Sequence, residues 1–271
     1  MKPLPGRLVL VGHPVAHSLS PRFQNAALRA AGIPLAYELL DVHPDALDAA
    51  MAELAAASAA GNVTIPHKAR VAERCHRLLP MAARTGAVNT FWTEQGRLIG
   101  DNTDPEGFDD ATRALLGALP RDAAVAVVGA GGAAAGVLAA MERWGGCRVA
   151  LYNRTVARAE SLARRFAPLA TVAPSARAAL AGAALVVNAT SLGMRDDALP
   201  FALDLLHPEA AVVDLVYRKG GTPLVREARA RGHRAAGGLR MLVGQGARAF
   251  ERWFGVVPDR ALMWEAVRDQ E

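Results

Sequence analysis

Residues 125–141 read VAVVGAGGAAAGVLAAM, and this stretch decides the fold class. A β-rich apolar run ends at Gly129, and an Ala-rich run of helical character follows it directly. Gly129, Gly131 and Ala134 match the G-x-G-x-x-G/A pattern, whose glycines permit a tight turn and let the backbone approach a pyrophosphate at a helix N-terminus. VALYNR at 149–154 supplies the next strand. This context favours a dinucleotide-binding βαβ unit over an ordinary turn in an Ala- and Gly-rich chain.

The end of that next strand indicates which dinucleotide binds. NAD-binding units place a carboxylate about 20 positions after the loop, where it bonds the ribose 2′-hydroxyl. Here the strand ends in Asn153-Arg154-Thr155, Arg158 follows, and no carboxylate comes before Glu160. Two guanidiniums and a hydroxyl suit a 2′-phosphate, so we predict NADP(H) as the cofactor. The alternative is that both arginines are solvated surface residues of an Arg-rich chain.

Strands and helices alternate along all 271 residues, which predicts an α/β fold with mainly parallel sheets and helices on their faces. We expect strands at 7–12, 35–42, 62–65, 123–128, 149–154, 184–190 and 211–216, and helices at 20–32, 44–57, 67–75, 105–120, 222–232, 240–255 and 258–270. A hairpin is expected at 87–103, turning near Gln95-Gly96. The proline and charged pair at 120–122 mark a domain boundary.

Composition and charge exclude several classes of protein. The hydrophobic fraction of 52% is ample for a packed core, yet no stretch approaches the roughly 18 uninterrupted apolar residues of a membrane span. The net charge of +5 comes from scattered arginines without a basic stripe, so we expect no nucleic-acid partner. The two cysteines form no CxxC pair and the histidines show no ligand spacing, so we expect no metal and a cytoplasmic location. The N-terminal apolar run is expected to be a first strand rather than a signal peptide.

Four polar stretches stand at predicted strand ends, where open α/β sheets bind ligands. They are HSLSP (17–21), NVTIPHK (62–68), AVNT (87–90) and DNTD (101–104). Each has a structural alternative: Ser20 could cap a helix, Thr103 and Glu106 could form a capping box, and Asp104 could cap the helix that begins at the following proline. Taken together, their hydroxyls, amides, carboxylate and lysine suit a polyhydroxylated acid.

Beyond these patterns, the chain resembles the shikimate dehydrogenase family over nearly its whole length. The resemblance rests on motifs in the family's order: GHPVAHSLSP, NVTIPHK, GAVNT, DNTD, GAGGAAAG, NRT, NATSLGM and MLVGQGARAF. It implies a substrate-binding domain of residues 1–104 and 240–271, and an inserted NADP-binding Rossmann domain of residues 105–239 in which 105–120 is a connecting helix. It also implies an active site in the cleft. Departures at Gln24-Asn25, at Gly61 and at Ala134 or Ala135 remove none of the catalytic groups.

The resemblance implies roles for single residues. Lys68 and Asp104 would form the catalytic pair. Substrate binding is implied for Ser18, Ser20, Thr64, Asn89, Tyr217 and Gln245. Cofactor binding is implied for Gly129, Ala130, Gly131, Gly132, Ala133, Asn153, Arg154, Thr155, Arg158, Leu215, Gly238 and Met241.

The implied reaction is the reversible reduction of 3-dehydroshikimate to shikimate by NADPH, a step of aromatic amino acid biosynthesis. Lys68 suits it, because an ammonium supplies both a charge and a proton, whereas an arginine holds its proton too tightly near neutrality. Its scarcity supports this role, since the chain has only two other lysines, Lys2 and Lys219. The alternatives are a quinate/shikimate dehydrogenase of broader specificity and a non-catalytic NADP-binding sensor. We expect a small-molecule partner and a monomer or homodimer.

Overall fold

In a computed structural model that describes residues 3–271, the chain divides into two compact units. Unit 1 comprises the described residues through Gly107 together with Leu242–Arg268. Unit 2 comprises Phe108–Met241 with Asp269–Glu271. Each unit is built around its own six-stranded sheet with helices between the strands, which confirms the predicted α/β class with mainly parallel sheets.

The first unit alternates strands and helices up to the end of its hairpin. Its elements are β1 (Leu8–Gly12), α1 (Ser20–Ala30), β2 (Tyr37–Asp41), a 3₁₀ turn (Pro44–Ala46), α2 (Leu47–Ala56), β3 (Ala60–Val63), α3 (Lys68–Arg74), β4 (Arg77–Leu78), α4 (Pro80–Thr85), β5 (Thr90–Glu94) and β6 (Arg97–Asp101). Helix α5 (Asp104–Leu116) begins in unit 1 and ends in unit 2.

The second unit continues the alternation. Its elements are β7 (Ala124–Val128), α6 (Gly132–Trp144), β8 (Arg148–Tyr152), α7 (Val156–Arg165), β9 (Ala170–Val172), α8 (Ala176–Leu180), β10 (Leu185–Asn188), a 3₁₀ turn (Leu203–Leu205), β11 (Ala211–Asp214), α9 (Pro223–Ala230) and β12 (Ala235–Ala236). Helix α10 (Leu239–Phe254) then returns to unit 1, and α11 (Arg260–Glu265) and a 3₁₀ turn (Arg268–Gln270) follow.

The sheet of unit 1 has the strand order β2-β1-β3-β5-β6-β4. Strand β1 pairs in parallel with β2 and β3, whereas β5 runs antiparallel to both β3 and β6. The reversal comes from the predicted hairpin, which is confirmed: Gln95 and Gly96 both have positive φ, as a two-residue turn between twisted strands requires. Val9, Val11 and Phe91 are fully buried in the core beneath this sheet.

The sheet of unit 2 is entirely parallel, in the order β12-β11-β10-β7-β8-β9. Counted from β7, this is the doubly wound 3-2-1-4-5-6 order of dinucleotide-binding folds. The sheet grows outward from β7 in both directions, so β7 and β10 flank the point where the order reverses. Ligands of such sheets bind outside the carboxyl ends of the strands at that point.

Several local predictions differ from the structure. The strand predicted at 62–65 runs from Ala60 to Val63, and Ile65 is exposed beyond its end. Ser20 is the first residue of α1 rather than its N-cap, a position that Leu19 holds without a side-chain cap. The short elements β4, α4, β9, α8 and β12 went unpredicted, because two to six residues are too few to show a period.

Two kinds of feature are absent from residues 3–271. No helix in this range combines the length and apolar composition needed to cross a bilayer. Within the same range no group of three or more His, Cys, Asp or Glu side chains is arranged to hold a metal ion.

Candidate active site

Lys68 and Asp104, the predicted catalytic pair, are 36 positions apart in sequence and form a direct ion pair. Lys68 is the first residue of α3, and Asp104 is the first residue of α5. Lys68 Nζ donates to Asp104 Oδ2 over 2.6 Å, and 16% of the lysine side chain remains exposed against 4% of the aspartate. The lysine carbonyl also accepts the Val88 N–H over 2.9 Å, which ties the start of α3 to the stretch before β5. The aspartate side chain is therefore enclosed, while the lysine side chain stays partly accessible.

Asn89 is the centre of a buried hydrogen-bond network around this pair. Its Nδ2 lies 2.8 Å from Asp104 Oδ1, 3.0 Å from Thr103 Oγ1 and 3.1 Å from Gln245 Oε1. Its Oδ1 accepts the Thr103 N–H over 2.8 Å. Because an amide group carries only two N–H bonds, three acceptors compete for two donors. The network thus holds Asp104 on both oxygens, one by the lysine and one by Asn89.

Helix α10 contributes Gln245 to the same network. The Thr103 hydroxyl donates to the Gln245 carbonyl over 2.9 Å, and Gln245 Nε2 donates to the Leu242 carbonyl over 2.7 Å. The hydroxyl of Thr103 therefore connects the start of α5 to α10. Four of the predicted site residues, Lys68, Asn89, Asp104 and Gln245, thus lie in one connected cluster.

The remaining predicted substrate residues lie in three other places. Ser18 Oγ accepts the Ser20 N–H over 3.2 Å at the start of α1, so the two serines stand together, with Ser20 buried. Thr64 is half-buried just beyond β3, and its N–H donates to the Val11 carbonyl over 2.9 Å. Tyr217, also half-buried, follows β11 in unit 2, whereas the serines and Thr64 belong to unit 1.

Asn102 supports the cluster and was missed by the sequence reasoning. Its side chain is fully buried, and its Oδ1 accepts the Asp104 N–H over 3.0 Å. Its Nδ2 lies 3.0 Å from both the Ala87 carbonyl and Thr85 Oγ1. It therefore caps α5 and holds the stretch that leads to Asn89. The available signal is its place inside DNTD, the stretch in which the resemblance implies a role for Asp104 alone.

The adjoining carboxylate is tied to α10. Arg252 Nε donates to Asp101 Oδ2 over 2.8 Å, and Asp101 Oδ1 accepts the Asn102 N–H over 2.8 Å. The hydrogen bond to Asp101 raises the pKa of the Arg252 guanidinium, although burial opposes this effect. Because α10 carries both Arg252 and Gln245, the helix is fixed to the DNTD stretch at two points.

The glycine turn of unit 2 has the shape that an anion site needs. Gly129 has a φ of +116° and donates its N–H to the Tyr152 carbonyl over 2.8 Å. A Cβ at Gly129 would lie 2.7 Å from the carbonyl carbon and oxygen of Ala189, so no larger residue fits. At Gly131, the N-cap of α6, an added Cβ would meet nothing within 4 Å. The space beside Gly131 is therefore open at the N-terminus of α6, where the N–H groups of a first helical turn suit a pyrophosphate. The predicted Ala130, Gly132 and Ala133 lie at this turn, each partly exposed.

The predicted 2′-phosphate residues lie beyond the end of β8. Asn153 Nδ2 donates to the Thr155 carbonyl over 2.9 Å, and the Arg158 N–H donates to the same oxygen over 3.1 Å. Arg154, Thr155 and Arg158 are exposed. Thr155 is the N-cap of α7, yet its hydroxyl makes no capping hydrogen bond. Two guanidiniums and this hydroxyl stand at one strand end, a set that fits a phosphate.

The three residues predicted near the nicotinamide lie after β11 and at the start of α10. The Gly238 N–H donates to the Val216 carbonyl over 2.9 Å. A Cβ at Gly238 would lie 2.1 Å from the Leu215 carbonyl oxygen, so this close approach requires glycine. Met241 is buried in the first turn of α10.

A doubly wound sheet with a glycine turn, joined to a second α/β unit that carries a lysine–carboxylate pair, defines a two-unit protein of the dinucleotide-binding class. Sequence models of three domains match the chain: the shikimate dehydrogenase substrate binding domain at residues 10–91, shikimate / quinate 5-dehydrogenase at 114–193, and the shikimate 5′-dehydrogenase C-terminal domain at 238–268. The chain is 46% identical to the shikimate dehydrogenase (NADP(+)) of Rubrobacter xylanophilus, over 95% of this chain and 94% of that protein. It therefore belongs to the shikimate dehydrogenase family.

Solved structures agree with this assignment. The crystal structure of shikimate dehydrogenase from Aquifex aeolicus has a TM-score of 0.90 and 34% identity, covering 99% of this chain and 100% of that one. The shikimate 5-dehydrogenase of Thermus thermophilus, solved in complex with NADP(H) and shikimate, has a TM-score of 0.88 and 40% identity, covering 98% of this chain and 99% of that one.

Proposed function

We propose that this protein is an oxidoreductase that interconverts 3-dehydroshikimate and shikimate with NADP(H), in the pathway to aromatic amino acids. The observation that carries the proposal is the 2.6 Å contact between Lys68 Nζ and Asp104 Oδ2, set in a chain of this family. The contact also speaks against a non-catalytic sensor, which would have no need to retain an enclosed lysine–aspartate pair.

Each residue of the pair has a distinct role in the proposed reaction. NADPH, when bound, supplies the hydride that reduces the carbonyl carbon. Lys68 stabilises the developing alkoxide by its charge and donates the proton that completes the hydroxyl group. Asp104 orients the lysine, and Asn89 fixes Asp104 through its second oxygen at 2.8 Å. In the oxidative direction the same lysine accepts the hydroxyl proton.

The other predicted residues bind the two reactants. We assign the substrate carboxylate to the hydroxyl groups of Ser18, Ser20 and Tyr217, and the ring hydroxyls to Thr64, Asn89 and Gln245. For the cofactor we assign the pyrophosphate to Gly129–Ala133, the 2′-phosphate to the Asn153–Arg158 stretch, and the nicotinamide to Leu215, Gly238 and Met241. On this assignment unit 1 is the substrate-binding domain and unit 2 is the cofactor-binding domain.

The Lys68→Arg variant tests the acid–base role. It keeps the positive charge but removes a proton donor that works near neutrality, so kcat should fall by about 10²–10⁴-fold with a smaller change in KM for shikimate. The matched control is Lys219→Arg, the same exchange at an exposed lysine of unit 2. Turnover is followed as NADPH absorbance with shikimate and NADP. A Lys68→Arg enzyme that turns over at the wild-type rate would disprove the role.

The assignment of NADP is tested at the end of β8. Arg154→Ala should raise KM for NADP far more than KM for NAD, because only NADP carries the 2′-phosphate. Arg164→Ala is the control, since Arg164 is an exposed residue of α7 whose nearest acidic partner is Glu160 at 4.0 Å. Equal effects on the two cofactors would mean that Arg154 does not bind the phosphate.

A broader quinate/shikimate specificity is the second candidate. It is favoured by one observation, the match of residues 114–193 to a model named for both shikimate and quinate dehydrogenases. Comparing kcat/KM for shikimate and quinate, each with NADP and NAD, separates the two candidates.

We further propose that the protein acts in the cytoplasm as a monomer or homodimer. Cell fractionation and sedimentation of the purified protein test these two statements. A DNA-binding assay over a range of salt concentrations tests the expectation that no nucleic acid binds.

A further inference from the structure

Asp214 is a buried carboxylate of unit 2 to which the proposed reaction gives no role. It is the last residue of β11, and its side chain is fully buried. Its Oδ1 accepts Asn188 Nδ2 over 2.8 Å and the Val216 N–H over 3.1 Å, and its Oδ2 accepts the Thr222 hydroxyl over 2.6 Å. Burial raises the pKa of this carboxyl group. All three donors are neutral, so the carboxylate is satisfied by hydrogen bonds rather than by these partners' charge.

The first arm of this network fixes the loop after β10. Asn188, also fully buried, accepts the Thr190 N–H over 3.0 Å and the Thr190 hydroxyl over 2.7 Å on its Oδ1. Both bonds set the orientation of the Asn188 amide, whose Nδ2 therefore points to Asp214. The carboxylate thus helps to hold the loop through Asn188 and Thr190, while the Ala189 N–H donates to the Val128 carbonyl over 2.7 Å.

The Ala189-Thr190 backbone packs directly against the glycine turn at Gly129. A Cβ on Gly129 would stand 2.7 Å from the Ala189 carbonyl and 3.0 Å from the Thr190 nitrogen. The two backbones are therefore in van der Waals contact, and a shift of the loop would move Gly129 with it.

The second arm fixes the turn after β11. Asp214 holds the Val216 N–H, while the Leu215 N–H donates to the Asn188 carbonyl over 2.9 Å. Gly238 packs on this turn, because its N–H donates to the Val216 carbonyl and its α-carbon faces the Leu215 oxygen. One carboxylate therefore anchors both backbone segments that border the carboxyl ends of β10 and β11.

We propose that Asp214 is a positioning residue for the cofactor. It sets the distance between the glycine turn at Gly129, which is assigned to the pyrophosphate, and the backbone at Leu215 and Gly238, which is assigned to the nicotinamide. The inference rests on the proposed function, which assigns these residues to NADP. It goes beyond that function because Asp214 itself touches neither reactant and acts only through the two backbone segments that it holds.

Asp214→Asn is the direct test, because it preserves shape while replacing one acceptor oxygen by a donor. At least one of the three donors then loses its acceptor, and a charge-assisted hydrogen bond is lost. We expect the Kd for NADPH, measured by fluorescence titration of the full chain without substrate, to rise on the order of tenfold. Circular dichroism and Tm are recorded on the same samples.

The matched control is Asp109→Asn. Asp109 is a buried carboxylate of the same unit that accepts Trp144 Nε1 over 2.7 Å and Arg143 over 2.8 Å at the last turn of α6. The chemical change is identical, so any general effect of losing a buried charge appears in both variants. We expect the Kd of Asp109→Asn to stay within about twofold of the wild type, a change of less than about 0.4 kcal/mol.

A second pair of variants covers the case in which Asp214→Asn does not fold. Thr222→Val removes the hydroxyl that donates to Asp214 without changing the side-chain volume, and Thr222→Ser keeps it. Thr222 also caps α9 by accepting the Val225 N–H over 3.3 Å, so Tm will fall for the valine variant. We expect the valine variant to raise the Kd for NADPH and the serine variant to restore it.

The outcomes separate the inference from the function on which it rests. Wild-type protein that fails to bind NADPH refutes the proposed function and the inference together. Wild-type binding with an unchanged Kd in folded Asp214→Asn, or in Thr222→Val if Asp214→Asn does not fold, overturns the inference alone. Equal losses in Asp214→Asn and Asp109→Asn overturn it too, since the effect would then be general destabilisation.

Discussion

Replacing Asn102 by alanine should both loosen Asp104, the proposed catalytic carboxylate, and destabilise unit 1. The change removes the acceptor for the Asp104 N–H and the donor to Ala87 and Thr85, three contacts of 3.0 Å around a fully buried amide. A net contribution of about 1 kcal/mol for each hydrogen bond predicts a loss of roughly 3 kcal/mol in the free energy of unfolding. Thr85 Oγ1 still donates to the Ala87 carbonyl over 3.1 Å, so the Asp104 N–H suffers the largest change.

The expected effect on catalysis follows from the same contact. Without its cap the backbone of the first residue of α5 is held less firmly, and misplacement of a catalytic group by about 1 Å can lower kcat on the order of 100-fold. We therefore expect Asn102→Ala to lower kcat by at least about tenfold at a temperature where the variant is folded. Steady-state turnover of shikimate and NADP gives kcat, and urea titration followed by tryptophan fluorescence gives stability.

Asn25→Ala provides the comparison. Asn25 also makes two hydrogen bonds to backbone, donating to the Tyr37 carbonyl over 3.1 Å and accepting the Tyr37 N–H over 2.8 Å at the edge strand β2. It should lower stability by about 2 kcal/mol and leave kcat close to the wild-type value. The reasoning is refuted if Asn102→Ala unfolds within about 0.5 kcal/mol of the wild type, or if both variants lose kcat equally.

Three further predictions concern a thiol, two glycines and a histidine. Burial raises the pKa of the Cys75 thiol to about 12, so native protein should react slowly with a disulfide reagent at pH 8, and rapid modification of Cys75 would contradict this. Gly238→Ala should lower Tm sharply, because the added Cβ would lie 2.1 Å from the Leu215 carbonyl oxygen. Gly131→Ala should keep Tm but weaken NADPH binding, because its Cβ enters open space at the N-terminus of α6. Identical Tm values for the two variants would be inconsistent with the structure. Burial lowers the pKa of His67 below its usual 6.5, so the unfolded state binds more protons than the folded state at lower pH. Stability should therefore decline as pH falls from about 6.5. His67→Gln can still donate to the Val42 carbonyl and should flatten that decline, measured as Tm across a pH series.

The parts of this protein that were predictable from sequence are those with a local cause. The turn at Gly129 and the hairpin at Gln95-Gly96 follow from backbone conformations that only a few residue types adopt readily. The alternation of strands and helices follows from periodicity and gives the fold class. Each of these signals lies within about 20 neighbouring residues.

The supporting residues were not predictable in this way. Asn102 reaches Thr85 across 17 positions, and Asp214 reaches Asn188 across 26. An Asn or Asp in the sequence shows no difference between a residue that caps a turn and one that positions a ligand-binding backbone segment. Its role depends on which distant backbone groups the fold brings to it, and that information is absent from local patterns.

The return of helix α10 to unit 1 has a consequence for folding on the ribosome. All residues of unit 2 except its last three are synthesised as one continuous segment, Phe108–Met241. Gln245 and Arg252 of unit 1 are translated only after that segment is complete. At about 5–20 residues per second, unit 1 waits on the order of ten seconds between the synthesis of Asp104 and that of Gln245. During that interval Thr103 lacks its acceptor on α10, and Asp101 lacks Arg252. We therefore expect nascent chains to fold unit 2 first and to complete the hydrogen-bond network around Asp104 last. Chaperones that bind nascent chains would then bind unit 1 while it is still incompletely folded.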